Sequence, residues 1–312
     1  MDKQYKTGIL ITILGAICWG FSGCFAQYLF DVKRISAEWL VSIRLIFAGI
    51  ILICMGFASQ KGELLAVFKD KVDLRQLLYF SIFGMLLVQY TSFSAIEYSN
   101  AGTAMVLQSL NPMVILVVVC VKEMRPPSKL EVVAMTIALV GIFLLSTRGN
   151  IHNMILTNRA LFLGLASAVF VAVYNLLSVR ILKKYGTYAI VGFGMLFAGL
   201  IMAAITPPWR YEIVWDTGTI WAVAGVTLIG TAIAFSLYLK GVSMVGSFMG
   251  SLLSGVEPVT TIIVSILFLG SEFHPIELVG AVMILGTVFV LSYYSGKEDE
   301  NISSDEVEVN EI

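Results

Sequence analysis

Apolar runs of about twenty residues, separated by short polar connections, fill almost the whole chain. They fall at roughly 7–30, 36–58, 75–94, 98–121, 129–147, 159–182, 187–206, 218–240, 243–269 and 275–295. An α-helix needs about 20 apolar residues to cross ~30 Å of hydrocarbon. The pattern therefore predicts an all-α integral membrane protein with ten transmembrane helices. No connection leaves room for a separate soluble domain. The first run follows Lys3 and Lys6, as the apolar part of a signal peptide would. It is too long for that, and nine more runs follow, so it is expected to stay as a membrane helix. The last residues, 296–312, are polar and acidic ("KEDENISSDEVEVNEI" from Lys297) and are expected to be a disordered cytoplasmic tail.

Two runs carry the same interruption. "QSLNPMV" begins at Gln108 and "SGVEPVT" at Ser254, and their prolines, Pro112 and Pro258, lie 146 residues apart. At that offset the chain aligns with itself without a gap from Ser81 to Val114. Gly84 meets Gly230, Leu107 meets Leu253 and Asn111 meets Glu257; further on Glu131 meets Glu277. The expected organisation is a duplication, with one five-helix repeat over 7–147 and a second over 159–295. Five is odd, so the second repeat enters the membrane from the opposite side. Inverted repeats of this kind let one central site open to each side in turn.

The composition explains the solvent. The chain is 58% hydrophobic and 13% charged, with a mean hydropathy of +0.89, where soluble domains run about 25% charged. A net charge of −1 offers no basic footprint for nucleic acid. With the N-terminus in the cytoplasm, fourteen lysines and arginines fall inside. Outside lie five: Lys33, Arg34, Arg148, Arg159 and Arg210. That bias predicts both termini cytoplasmic in a cell (plasma) membrane. The four cysteines lie in apolar runs without metal or redox spacing, and His152 and His274 are isolated in expected loops. No metal site or cofactor is expected.

Candidate chemistry gathers at the breaks. A proline inside a helix removes a donor and frees the carbonyl four residues earlier, here those of Gln108 and Ser254. Broken backbone at membrane depth is tolerated where protein or a watery cavity satisfies it. Glu257 and Arg44 are ionisable groups at that depth and functional suspects by default. Glu257 is a candidate for coupling or substrate contact, or else braces the proline break. Arg44 is a coupling candidate too, or else forms a structural ion pair or snorkels outward. Helical spacing sets Gly250, Ser254, Glu257 and Thr261 on one face, and Ala101, Ala104, Gln108 and Asn111 on another. A third carries Gly15, Trp19, Ser22 and Ala26. Trp19, Ser22, Gln108, Asn111, Tyr174, Asn175, Tyr238, Ser254 and Glu257 are the candidate cavity lining. The rival reading for small-residue faces is close helix packing.

"GILITILGAICWGFSG", "IRLIFAG", "LQSLNP" and "SLLSGVEP" followed by "LFLGSE" resemble, in that order, the EamA-type transporters of the drug/metabolite transporter superfamily. The resemblance covers about residues 7–295. It implies ten spans in two inverted repeats and a central cavity. Its tryptophan-glycine signature matches Trp19 and Gly20, and its helix-breaking prolines match Pro112 and Pro258. The second half departs from it, with Val171 where a tryptophan is common. The expected function is a secondary active transporter of a small organic metabolite, an amino acid or related solute among the options, with protons as the candidate coupling ion. A broad drug exporter and a non-transporting membrane sensor are the alternatives. No "GxxxxGK[ST]" occurs, which argues against built-in ATP use. An intramembrane enzyme would need clustered His, Asp or Cys at depth, which the sequence lacks.

Overall fold

The computed structural model describes residues 3–59, 64–122, 124–150, 154–245 and 247–291. The acidic tail lies outside the described residues. Every regular element among them is helical. Eight helices are long and apolar enough to cross a membrane: α1 (Lys3–Asp31), α2 (Ala37–Ser59), α3 (Lys71–Glu97), α4 (Ala101–Lys122), α5 (Lys129–Thr147), α6 (Asn158–Tyr185), α7 (Thr187–Ile205) and α8 (Thr217–Val245). Three shorter ones follow, α9 (Ser247–Ser254), α10 (Val256–Leu269) and α11 (Pro275–Leu291). The chain is thus a multi-pass membrane protein.

Helix starts are written in local sequence. Asp70, Asn100, Ser128, Thr157 and Asp216 each accept a backbone N–H two or three residues on, capping α3, α4, α5, α6 and α8. Ser128 and Glu131 complete a capping box, with Arg125 on the Glu131 carboxylate. Gly186 and Gly270 sit at positive φ where α6 and α10 end.

Two structural features recur at the offset read from the sequence. α3 widens into π-helix over Phe80–Leu86, and α8 does so over Gly225–Ile233. α4 breaks at Ser109–Leu110, and α9 gives way to α10 at Gly255. The run expected at 243–269 is therefore two helices rather than one. The expected run at 98–121 keeps its length but bends in the middle.

Packing crosses between the two halves of the chain. α2 lies along α7, where a Cβ on Gly49 would meet the Leu196 nitrogen at 2.6 Å. α1 packs on α8, and α6 on α3 and α4. α5 and α11 touch at Gly141 and Gly280.

Candidate functional site

Between these pairs lies a cavity of about 990 Å³. All twelve residues singled out in the sequence line it: Trp19, Ser22, Arg44, Gln108, Asn111, Pro112, Tyr174, Asn175, Tyr238, Ser254, Glu257 and Pro258. They come from seven helices, so only the folded bundle brings them together. Of the small residues on the same helical faces, Ala26, Ala101 and Ala104 are packed away instead, as is Thr261.

The breaks shape the wall. Asn111 opens the second half of α4, and its Nδ2 donates to the Gln108 carbonyl at 3.2 Å, one of the two carbonyls that a proline frees. The Gln108 side chain accepts from Ser92 Oγ at 2.6 Å. Glu257 sits in the first turn of α10, where unpaired N–H groups and the helix dipole favour a carboxylate. The break thus does for Glu257 what an unbroken helix would not.

Arg44 neither snorkels nor pairs. It is 6% exposed, and among the described residues no ion pair within 4 Å includes it. Nη1 donates to Gln89 Oε1 at 3.0 Å and Nη2 to the Gly230 carbonyl at 3.3 Å, inside the π segment of α8. Its guanidinium lies 4.7 Å from the Phe93 ring centre. Arg44 and Glu257 line the same cavity without forming an ion pair within 4 Å among the described residues. Among the described residues they are the cavity's two charged lining residues.

An aromatic cluster covers another side. Trp19 meets Phe235 edge-on at 5.2 Å and Tyr238 at 4.9 Å. Tyr174 leans on Phe80 at 5.4 Å. Val171 lines the cavity where the resemblance leads one to expect a tryptophan, leaving that side with less aromatic surface. Sequence reasoning missed Gln89 and Ser92, both lining residues. The signal was present: two polar side chains three apart in an apolar run share a helix face.

The cavity runs to Leu182 and Thr187, where α6 hands over to α7, and to Val242 near the end of α8. At the other end the bundle is closed around Gln27, which is 4% exposed. Its Oε1 accepts from the Ala101 backbone N–H at 2.9 Å and Ser265 Oγ at 3.0 Å. Its Nε2 donates to Ser271 Oγ at 3.0 Å and to Asp31 at 3.2 Å. Nearby, Lys33 and the Thr219 N–H hold the Asp216 carboxyl at about 2, below its usual range.

A helical membrane bundle around a solute-sized cavity, with a few polar groups fixed in an apolar and aromatic wall, is the build of a membrane carrier. Comparison with known proteins gives the family. The EamA-like transporter family model matches residues 6–147 and again 158–293. The chain belongs to that family, within the drug/metabolite transporter superfamily. It is 37% identical over 295 residues to the uncharacterized inner membrane transporter YicL of Salmonella typhimurium, covering 92% of this chain and 95% of YicL. It is 28% identical to the threonine/homoserine exporter RhtA of Escherichia coli K12, over 66% of this chain and 65% of RhtA. A solved crystal structure aligns over 94% of this chain and 98% of its own, with a TM-score of 0.61 at 18% identity, which shows the same fold.

Proposed function

We propose that this transporter is a secondary active carrier that moves a small organic metabolite across the plasma membrane by alternating access. Its ten spans form two inverted five-helix repeats, 7–147 and 159–295, with both termini cytoplasmic. The observation that carries this reading is the pair of matched breaks, at Ser109–Leu110 and Gly255, set on one cavity with Arg44 and Glu257 in its wall. Matched π segments in α3 and α8 support the repeat, and π segments recur at functional sites. Placed Gln, Asn, Glu and Arg groups favour a dedicated metabolite carrier over a broad drug exporter, whose wall needs few fixed polar partners. Glu257 is the candidate proton carrier.

The test is counterflow. Purified protein in liposomes preloaded with unlabelled solute should accumulate the labelled solute transiently, class by class, with amino acids first. Transient accumulation separates a carrier from a sensor. Absence of any flux across amino acids, amines, nucleobases and sugars would defeat the carrier reading.

A further inference from the structure

We infer that the groove between α5 and α11 is a lipid site, in which one acyl chain of an anionic phospholipid lies with its headgroup on Lys129. The inference goes beyond the carrier reading and takes from it only that this end of the bundle is cytoplasmic.

α5 and α11 press together where a Cβ on Gly141 would meet the Gly280 carbonyl at 2.8 Å. Beside that contact lies a groove of about 310 Å³ that shares no lining residue with the carrier cavity. Leu130, Val133 and Ile137 of α5 form one wall, and Val282, Gly286 and Val290 of α11 form the other. Ala134 and Thr287, both buried, form its floor. A Cβ on Gly286 would meet nothing within 4 Å, so the groove is open there.

The lining selects what can enter. Among the described residues Thr287 has its one polar side chain, and that hydroxyl already donates to the Ile284 carbonyl at 2.8 Å. The wall therefore asks for hydrocarbon. Wall atoms that face a void forgo dispersion contacts, and an acyl chain restores them.

The charge at one end selects the lipid. Leu130 and Val290 mark that end, and Lys129 stands beside Leu130 at the start of α5. Lys129 is exposed and is in no ion pair among the described residues. The nearby acid, Glu131, is taken: its two oxygens accept from Arg125 at 3.0 Å each. A lysine stem lies along apolar surface while its ammonium reaches headgroup level. An anionic headgroup there offers it a charge that a zwitterionic one cancels.

A second copy of the chain does not fill the same space. A two-fold contact sets one patch on itself, so groove would face groove and both would stay empty.

α11 gives the site a consequence. Val282, Gly286 and Val290 face the groove, while Leu285, Val288 and Phe289 line the carrier cavity. One helix is wall to both, so a chain held in the groove bears on the position of the cavity wall.

The experiment is native mass spectrometry of the full chain, titrated with phosphatidylglycerol or phosphatidylcholine of the same acyl chains. Phosphatidylglycerol should bind first and about fivefold tighter, the worth of one lysine at an anionic surface. Lys129→Gln should erase that preference and leave phosphatidylcholine binding unchanged. Gly286→Leu fills the groove and should weaken both lipids at least about tenfold, with a thermal midpoint no lower than wild type. Gly286→Ala adds one methyl and should keep most of the binding. Wild-type binding in Gly286→Leu overturns the site, and a preference that survives Lys129→Gln overturns the headgroup placement. A dimer that is lost in Gly286→Leu would assign the groove to a second copy instead. In liposomes the counterflow rate should respond to phosphatidylglycerol content in the wild type and not in Gly286→Leu. An equal response in both would cut the link to the cavity. Binding is read without transport, so a lipid site that fails leaves the carrier standing, and a chain that carries nothing still tests the site.

Discussion

At the residue scale the weight falls on Glu257. It occupies the first turn of α10, next to Pro258 and facing the cavity. A carboxylate there is tolerated because the break supplies free N–H groups and a favourable dipole. This position serves a proton carrier well, since the group lines the cavity and has no cation within ion-pair distance among the described residues. With an inward proton gradient imposed on liposomes, the wild-type protein is expected to accumulate solute against its gradient. Glu257→Gln should lose that uphill movement and keep counterflow, because glutamine preserves shape and hydrogen bonding but holds no exchangeable charge. Uphill transport that survives in the variant would assign coupling elsewhere. Glu257 and Pro258 were visible in the sequence as a polar pair inside an apolar run. Gln89 was also visible as a polar residue, but nothing local said that Arg44 would reach it.

At the element scale the two halves mirror each other in their caps. Asp70 and Asp216, 146 residues apart, cap α3 and α8. Each lies beside a lysine from the other half of the chain: Lys184 Nζ is 3.8 Å from Asp70, and Lys33 Nζ is 2.5 Å from Asp216. Lys184 also reaches the buried Asp73 carboxylate, together with Arg180 and Tyr185. These contacts tie α1 to α8 at one end of the bundle and α6 to α3 at the other. The Asp216 carboxyl is held at about 2, below the ordinary carboxylate value of about 3.9. Its folded-state pKa is depressed, so its contribution to stability is complete above the unfolded value and is lost as pH falls through about 2. Thermal midpoints of wild type and Asp216→Asn should therefore differ at pH 5 and converge on descent towards pH 2. A gap that stays constant over that range would show that the carboxylate charge contributes nothing. The caps themselves could be read from Asp, Asn, Ser and Thr before apolar runs. Their lysine partners could not, because they lie more than a hundred residues away in sequence.

At the scale of the whole molecule, the cavity reaches one end of the bundle and the Gln27 junction closes the other. That junction joins α1, the start of α4 and the end of α10 through four hydrogen bonds of one amide. Replacing it leaves the buried Ala101 N–H without its partner and the Ser265 and Ser271 hydroxyls with only each other, and an unpaired buried donor costs more than its bond contributes. Gln27→Leu is expected to shift the carrier towards a form open at that end. The check is a single cysteine at Asn111 in a background without the native cysteines, labelled from outside intact cells by a membrane-impermeant thiol reagent. Labelling should be several times faster in the Gln27→Leu background. An unchanged rate would mean that Gln27 is packing and not the seal.

The sequence by itself determined the solvent, most of the helices and the prolines beside which two apolar runs break. Each of these rests on local causes: an apolar run long enough for a bilayer, a capping side chain, a proline that removes a donor. It also carried the internal offset, which the structure meets again as paired π segments and paired breaks. Helical spacing picked out side chains that turn out to share one cavity, because the period of a helix is itself a local property. Only the tertiary structure decided which helices face one another. In a uniformly apolar chain nearly every helix face is acceptable to lipid, so the packing partners α2 with α7 and α1 with α8 are chosen by glycine contacts and shape rather than by hydrophobic pattern. The same holds for Arg44. Its depth was legible, but its bonds to Gln89 and Gly230 exist only once α2, α3 and α8 have been assembled around it.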